Sequence, residues 1–125
     1  MLRRAALGIS AAALTGCGGG LYIGWGGFDD PPSVSLVAAV SGAAPGQVVA
    51  LAAAASDDDF VREVDFYRVD PDGGTTLLGA VGPAPYDWSA TMPSLPRGST
   101  VYFFARAIDS AGQATDSARV AVGVL

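Results

Sequence analysis

From Ser33 to Leu125 the chain is written in short runs of alternating apolar and polar residues, cut by clusters of Gly, Pro and Asp. In Ser33–Val40, Val34 and Leu36 share a face; in Gln47–Ala55, Val49, Leu51, Ala53 and Ala55 do. Glu63–Val69 sets Val64 and Phe66 against Asp65 and Tyr67, and Thr75–Val81 follows the turn residues Asp70-Pro71-Asp72-Gly73-Gly74. Tyr86–Ala90 alternates Tyr86, Trp88 and Ala90, and Thr100–Ile108 points Val101, Phe103, Ala105 and Ala107 inward. In Ala114–Val124 the inward set is Ala118, Val120, Val122 and Val124. Successive side chains of a strand face opposite ways, so period-two patterning between turn signals predicts a strand for each run. The run Ala50–Ala55 suits a helix on propensity alone. Its flanks oppose that: Pro45-Gly46 before it, Val48-Val49 leading in, and Asp57-Asp58-Asp59 after it. The expectation is an all-β fold, a seven-stranded antiparallel β-sandwich over residues 33–125.

The N-terminal stretch has a different grammar. Arg3 and Arg4 precede an apolar run from Ala5 to Leu14, the layout of a signal peptide and too short for a spanning helix, which needs roughly 20 apolar residues. Leu14-Thr15-Gly16-Cys17 closes it. This resembles the bacterial lipobox. The resemblance implies a signal peptide over residues 1–16, a diacylglyceryl group on the Cys17 thiol, and acylation of the new amino group. One acyl chain anchors only marginally, whereas two or three on one residue hold a protein on a membrane. Residues 17–32 then read as the lipidated Cys and a Gly-rich tether, with six Gly between Gly18 and Pro32. Tyr22, Trp25 and Phe28 in that tether are expected to rest on the domain or at the lipid headgroups, where amphipathic rings sit well. Gly18 is not the Asp that, by the same resemblance, signals inner-membrane retention. The expected location is the cell envelope, lipid-anchored, and the outer membrane in a two-membraned source.

A second resemblance covers nearly all of Ser33–Leu125. Gly46 is followed by Val49, Leu51, Ala53, Ala55 and Asp57 at every second position, then by Val61, Val64, Phe66 and Tyr67. Leu77-Leu78-Gly79, Ala84-Pro85-Tyr86, Trp88 and Ala105-Arg106-Ala107-Ile108-Asp109-Ser110-Ala111-Gly112 complete the set. These residues resemble bacterial Ig-like domains, relatives of fibronectin type III and PKD-like modules. The resemblance implies an Ig-like sandwich. An antibody-type domain is excluded, because there is no Cys pair and no core Trp on the third strand.

Composition narrows the chemistry. The 125 residues carry seven Arg, no Lys and no His, against eleven Asp and the single Glu63, for a net charge of −5. Cys17 is the only Cys, so a disulfide framework and a Cys/His zinc site are both out of reach. A Ser or Thr nucleophile has no His or Lys to activate it. An acidic chain repels nucleic acid. No catalytic residues and no cofactor are expected.

Two constellations stand as candidate sites. Asp57, Asp58 and Asp59 lie between the second and third expected strands, and Asp109 opens the loop between the sixth and seventh. In an Ig-like sandwich these loops share an end, so the four are calcium candidates. The favoured reading is that Asp57 and Asp109 bond nearby backbone N–H groups as turn caps, because the spacing matches no complete calcium loop. Tyr67, Tyr102 and Phe104 fall on the face opposite Phe103 and are the candidate binding aromatics for a partner or a glycan, though the favoured reading is that loops or the Gly-rich tether cover them. The expected function is a non-enzymatic envelope lipoprotein whose domain binds a protein or serves a structural role. The alternative is a glycan- or calcium-dependent adhesion module. Expected partners are the membrane through the lipid and an envelope protein or glycan, with no nucleic acid.

Overall fold

In the computed structural model, which describes residues 30–58 and 60–125, alternation becomes two packed sheets. The strands are β1 (Ser33–Ala38), β2 (Gly42–Ala43), β3 (Val48–Ser56), β4 (Val61–Val69), β5 (Thr75–Val81), β6 (Tyr86–Thr91), β7 (Thr100–Asp109), β8 (Ala114–Asp116) and β9 (Val120–Val124). One sheet runs β1-β3-β6; the other runs β2-β9-β7-β4-β5, with β8 also on β7. The core is the inner faces of both: Leu36, Val49 and Leu51 from the first, and Val64, Phe66, Val101, Phe103, Ala105, Ala107 and Val122 from the second. Met92, just past β6, is buried among them. The Ala50–Ala55 run is strand, paired on both sides, with Leu36 opposite Ala53 and Leu51 opposite Trp88. The all-β sandwich expected from the pattern is the observed fold.

Three details differ from the pattern. The expected first strand ends at Ala38, and the chain crosses to the other sheet, where β2 pairs with β9 in parallel. This pairing closes the sheet's edge with the Leu125 N–H donating to the Ala43 carbonyl at 3.0 Å. The third expected strand begins earlier, at Val61, with a register shift before Glu63. The last expected strand is two. Arg106 opposes Asp116 in β8, but Phe103 opposes Val120 in β9, so one extra residue is accommodated between them. Such a bulge moves the following side chains to the other phase. Ser117 therefore points in and is buried, and Ala118, expected inward, is exposed. Ser117 fixes the bulge: its N–H donates to the Ala105 carbonyl at 2.8 Å, and its hydroxyl accepts from the Ala105 N–H at 3.0 Å. The same hydroxyl donates to the Ala118 carbonyl at 2.9 Å.

The strand directions give the sandwich two distinct ends. Ser33, where the fold begins, sits beside Ser56, their hydroxyls 2.8 Å apart. The Ser110 N–H donates to the Phe60 carbonyl at 3.0 Å, tying the β7–β8 turn to the same end. The last strand finishes at the opposite end, where the Val124 N–H donates to the Ser99 carbonyl at 2.8 Å.

Candidate functional site

The outer face of the larger sheet is built on β4 and β7. Tyr67 and Phe104 are register neighbours, and their rings stack at 4.9 Å with 9° between planes. Two residues further along β7, Arg106 returns to the same face and lies 5.0 Å from the centre of the Tyr67 ring. It donates from Nη1 to the Tyr67 hydroxyl at 3.3 Å. Its Nε and Nη2 grip both oxygens of Asp116 on β8, at 2.6 and 3.1 Å. That fork-to-carboxylate geometry holds the guanidinium charged and raises its pKa further, mainly through the Asp116 hydrogen bond. From the bulge, Arg119 reaches over the other side of the stack, 5.8 Å from the Phe104 centroid.

This changes the reading of the three aromatics. Phe104 is only 6% exposed; its neighbours cover it, with Tyr67 stacked on the ring and two guanidiniums above it. Tyr67 is half-buried, while Tyr102 is 40% exposed and Leu77, opposite Tyr67 on β5, is 56% exposed. The sequence reading missed Arg106, Asp116 and Arg119. The signal for Arg106 was its period-two spacing from Phe104. Counting back from the inward Val120 put Arg119 on the outer face as well, but its seat over Phe104 depends on how β9 meets β7.

Asp65 shares this face, opposite Arg106. It is 8% exposed, and its Oδ1 has no hydrogen-bond partner. Burial first, and the neighbouring Glu63 carboxyl second, push it up to about 6.

The acidic end is organised by turns. Asp109 is buried, and its Oδ1 accepts from the Ala111 N–H at 3.0 Å and the Gln113 N–H at 2.8 Å. Asp57 Oδ2 accepts from the Phe60 N–H at 3.4 Å. All three bonds follow the turn-capping pattern of Asp. Asp58 is exposed, and Asp59 lies outside the described residues, as do Cys17, Tyr22, Trp25 and Phe28. Asp57 Oδ1, Asp109 Oδ2 and Gln113 Oε1 remain buried without a partner. Burial, then the Asp58 carboxyl, raise the Asp57 pKa. Among the described residues, no three acidic, His or Cys side chains gather closely enough to hold a metal ion.

Known proteins resemble the chain at the level of this fold. It superposes on the fibronectin(III)-like modules of Clostridium thermocellum CbhA with a TM-score of 0.58 and 24% identity, over 74% of this chain and 94% of the module. The PKD domain of an M14-like peptidase from Thermoplasmatales archaeon SCGC AB-540-F20 gives a TM-score of 0.55 and 19% identity, over 78% of this chain and 98% of that one. Pectate lyase PelI from Erwinia chrysanthemi matches with a TM-score of 0.51 and 13% identity, over 70% of this chain but 27% of the lyase. No curated protein matches. What these proteins share with the chain is the fold. The family model described as a bacterial Ig domain matches residues 32–102, more than half of the chain, and the chain belongs to that family.

Proposed function

We propose that this protein is a non-enzymatic envelope lipoprotein, anchored through lipid on Cys17, whose Ig-like domain binds another protein or spaces an assembly at the membrane surface. The carrying observation is the polarity of the sandwich: the chain enters beside Ser56 and Ser110, and its last strand ends at the far end. An anchor on Cys17 attaches the domain by the acidic end and leaves both sheet faces open beside the membrane. Repulsion between that end and an anionic lipid surface supports a stand-off position. The non-enzymatic reading draws support from the lack of His and Lys, which leaves a Ser or Thr nucleophile without an activating base. Metabolic labelling with a fatty-acid analogue tests the anchor. The wild type takes up label and Cys17→Ser does not; equal labelling of the two rejects the anchor.

A second reading, calcium-dependent adhesion, draws support from the three unpartnered oxygens of Asp57, Asp109 and Gln113 at one end. The Asp109 turn bonds weigh against it, since they already occupy one carboxylate oxygen. A ligand that binds only the folded state raises its stability by mass action. The expected melting temperature is nearly the same in millimolar calcium and in chelator. A rise of several degrees with calcium, lost in Asp109→Asn, establishes the second reading instead.

A further inference from the structure

We infer that the outer face of the larger sheet docks an acidic, apolar segment of a partner protein, with Arg119 as the residue that takes its carboxylate. The inference rests on the protein-binding reading above and names the surface and the partner chemistry. The first observation is charge. Arg106 is paired with Asp116, and Arg68 with Asp70 at 2.7 Å. Arg119 is exposed and makes no ion pair with any described residue, in a chain of net charge −5. An unpaired guanidinium here attracts a carboxylate and meets little competition from its own neighbours, because Asp116 is engaged by Arg106.

The second observation is preorganisation. Arg119 lies over the Phe104 ring, and that ring is fixed by its stack on Tyr67. A guanidinium seated on an aromatic face loses less freedom on binding than a free side chain, and its fork matches a carboxylate bidentately. The third is the surrounding chemistry. Tyr102 and Leu77 stand exposed on the same sheet face as the stack. Tyr and Arg are the residue types that dominate interface energies, and apolar groups beside them exclude water from the charge pair. The face favours a protein segment over a sugar. Sugar rings stack on open aromatic faces, and here the Tyr67 and Phe104 rings are turned against each other and capped by arginine. Tyr102 is the one candidate ring that is exposed.

The test is selection of random peptides displayed on phage against the full-length protein in detergent, followed by binding of the recovered peptides to variants. The expected peptides carry Asp or Glu beside Leu or an aromatic residue. Their affinity falls about tenfold or more in Arg119→Gln, the scale of an interface arginine that takes a carboxylate, and by less in Arg119→Lys. Tyr102→Ala also weakens binding. Arg97→Gln, which removes another exposed arginine at the far end, leaves it unchanged. Each variant is checked for an unaltered melting curve. Peptides without carboxylates, equal losses in Arg97→Gln and Arg119→Gln, or an uncharged oligosaccharide displacing the peptides from this face would each overturn the inference. Cys17→Ser, which removes the anchor, leaves peptide binding intact, so failure of the anchor and failure of this surface are told apart.

Discussion

Gly79 is the position where one methyl group tests the packing of the whole open edge. It sits in β5 opposite Phe66, facing inward, with no unusual backbone angle to explain a glycine. The reason is space. From the other sheet, Trp88 reaches across so that an added Cβ would overlap its ring carbons, Cη2 nearest, with Cζ2 at 2.5 Å and Cζ3 at 2.8 Å. The indole stacks on Phe66 at 6.1 Å, and Phe66 is fully buried. The ring therefore closes the gap between β5 and β6 at the edge of the sandwich. Gly79→Ala forces the indole off this seat. Overpacking of this kind costs about 1–3 kcal/mol, and losing an aromatic pair adds about 0.5–1.5 kcal/mol. Alanine's lower chain entropy returns about 0.5–1 kcal/mol. The net expectation is a loss of about 2 kcal/mol, read as a lower urea midpoint at unchanged slope. The cycle with Trp88→Leu isolates the cause. With the indole gone, Gly79→Ala should cost almost nothing, leaving a coupling of about 2 kcal/mol. A neutral Gly79→Ala, or a cost that persists in the Trp88→Leu background, refutes the steric account.

Asp65 predicts a pH dependence of definite sign. Its folded value of about 6 lies above the ordinary 3.8, so the folded state binds the proton more tightly than the unfolded chain. Its contribution is then most favourable below about pH 4, declines as pH rises to about 6, and stays low above that. Asp65→Asn should raise stability at pH 7 by about 1–3 kcal/mol and flatten the decline between pH 4 and 6, as followed by urea unfolding at each pH. Equal effects at pH 4 and pH 7 would show that burial does not raise the pKa of this carboxyl. Asp109→Ala removes two turn bonds and should cost about 2–4 kcal/mol, while Asp109→Asn keeps an acceptor and should cost much less; similar losses in thermal melts would assign the residue to charge rather than capping. Phe103→Ala, at a fully buried position, should cost about 3–5 kcal/mol in the same unfolding assay.

The sequence alone determined the strands and most of the core. Val49, Leu51, Val64, Phe66, Val101, Phe103, Ala105, Ala107, Val122 and Val124 all lie where alternation put them, and all are buried. That information is local: a residue's face is set by counting in twos from its neighbours, and turn residues say where the counting stops. The shared end of the Asp57 and Asp109 loops was legible too, from the order of strands in an Ig-like sandwich. Tertiary pairing decided what counting cannot. The slip at Ser117 exists because β8 and β9 meet β7 in two registers, and it turned Ala118 outward, while the β9 register set Arg119 over Phe104. β2 exists because β9 offers it an edge. Phe104 is covered, and Asp65 buried, by side chains brought from separate strands. Gly79 reads in the sequence as a weak spot in a strand, and only the opposing sheet shows that Trp88 occupies its space. Alternation is a property of one strand, whereas register, coverage and close approach belong to pairs of strands distant in sequence, and these set the chemistry of the surface.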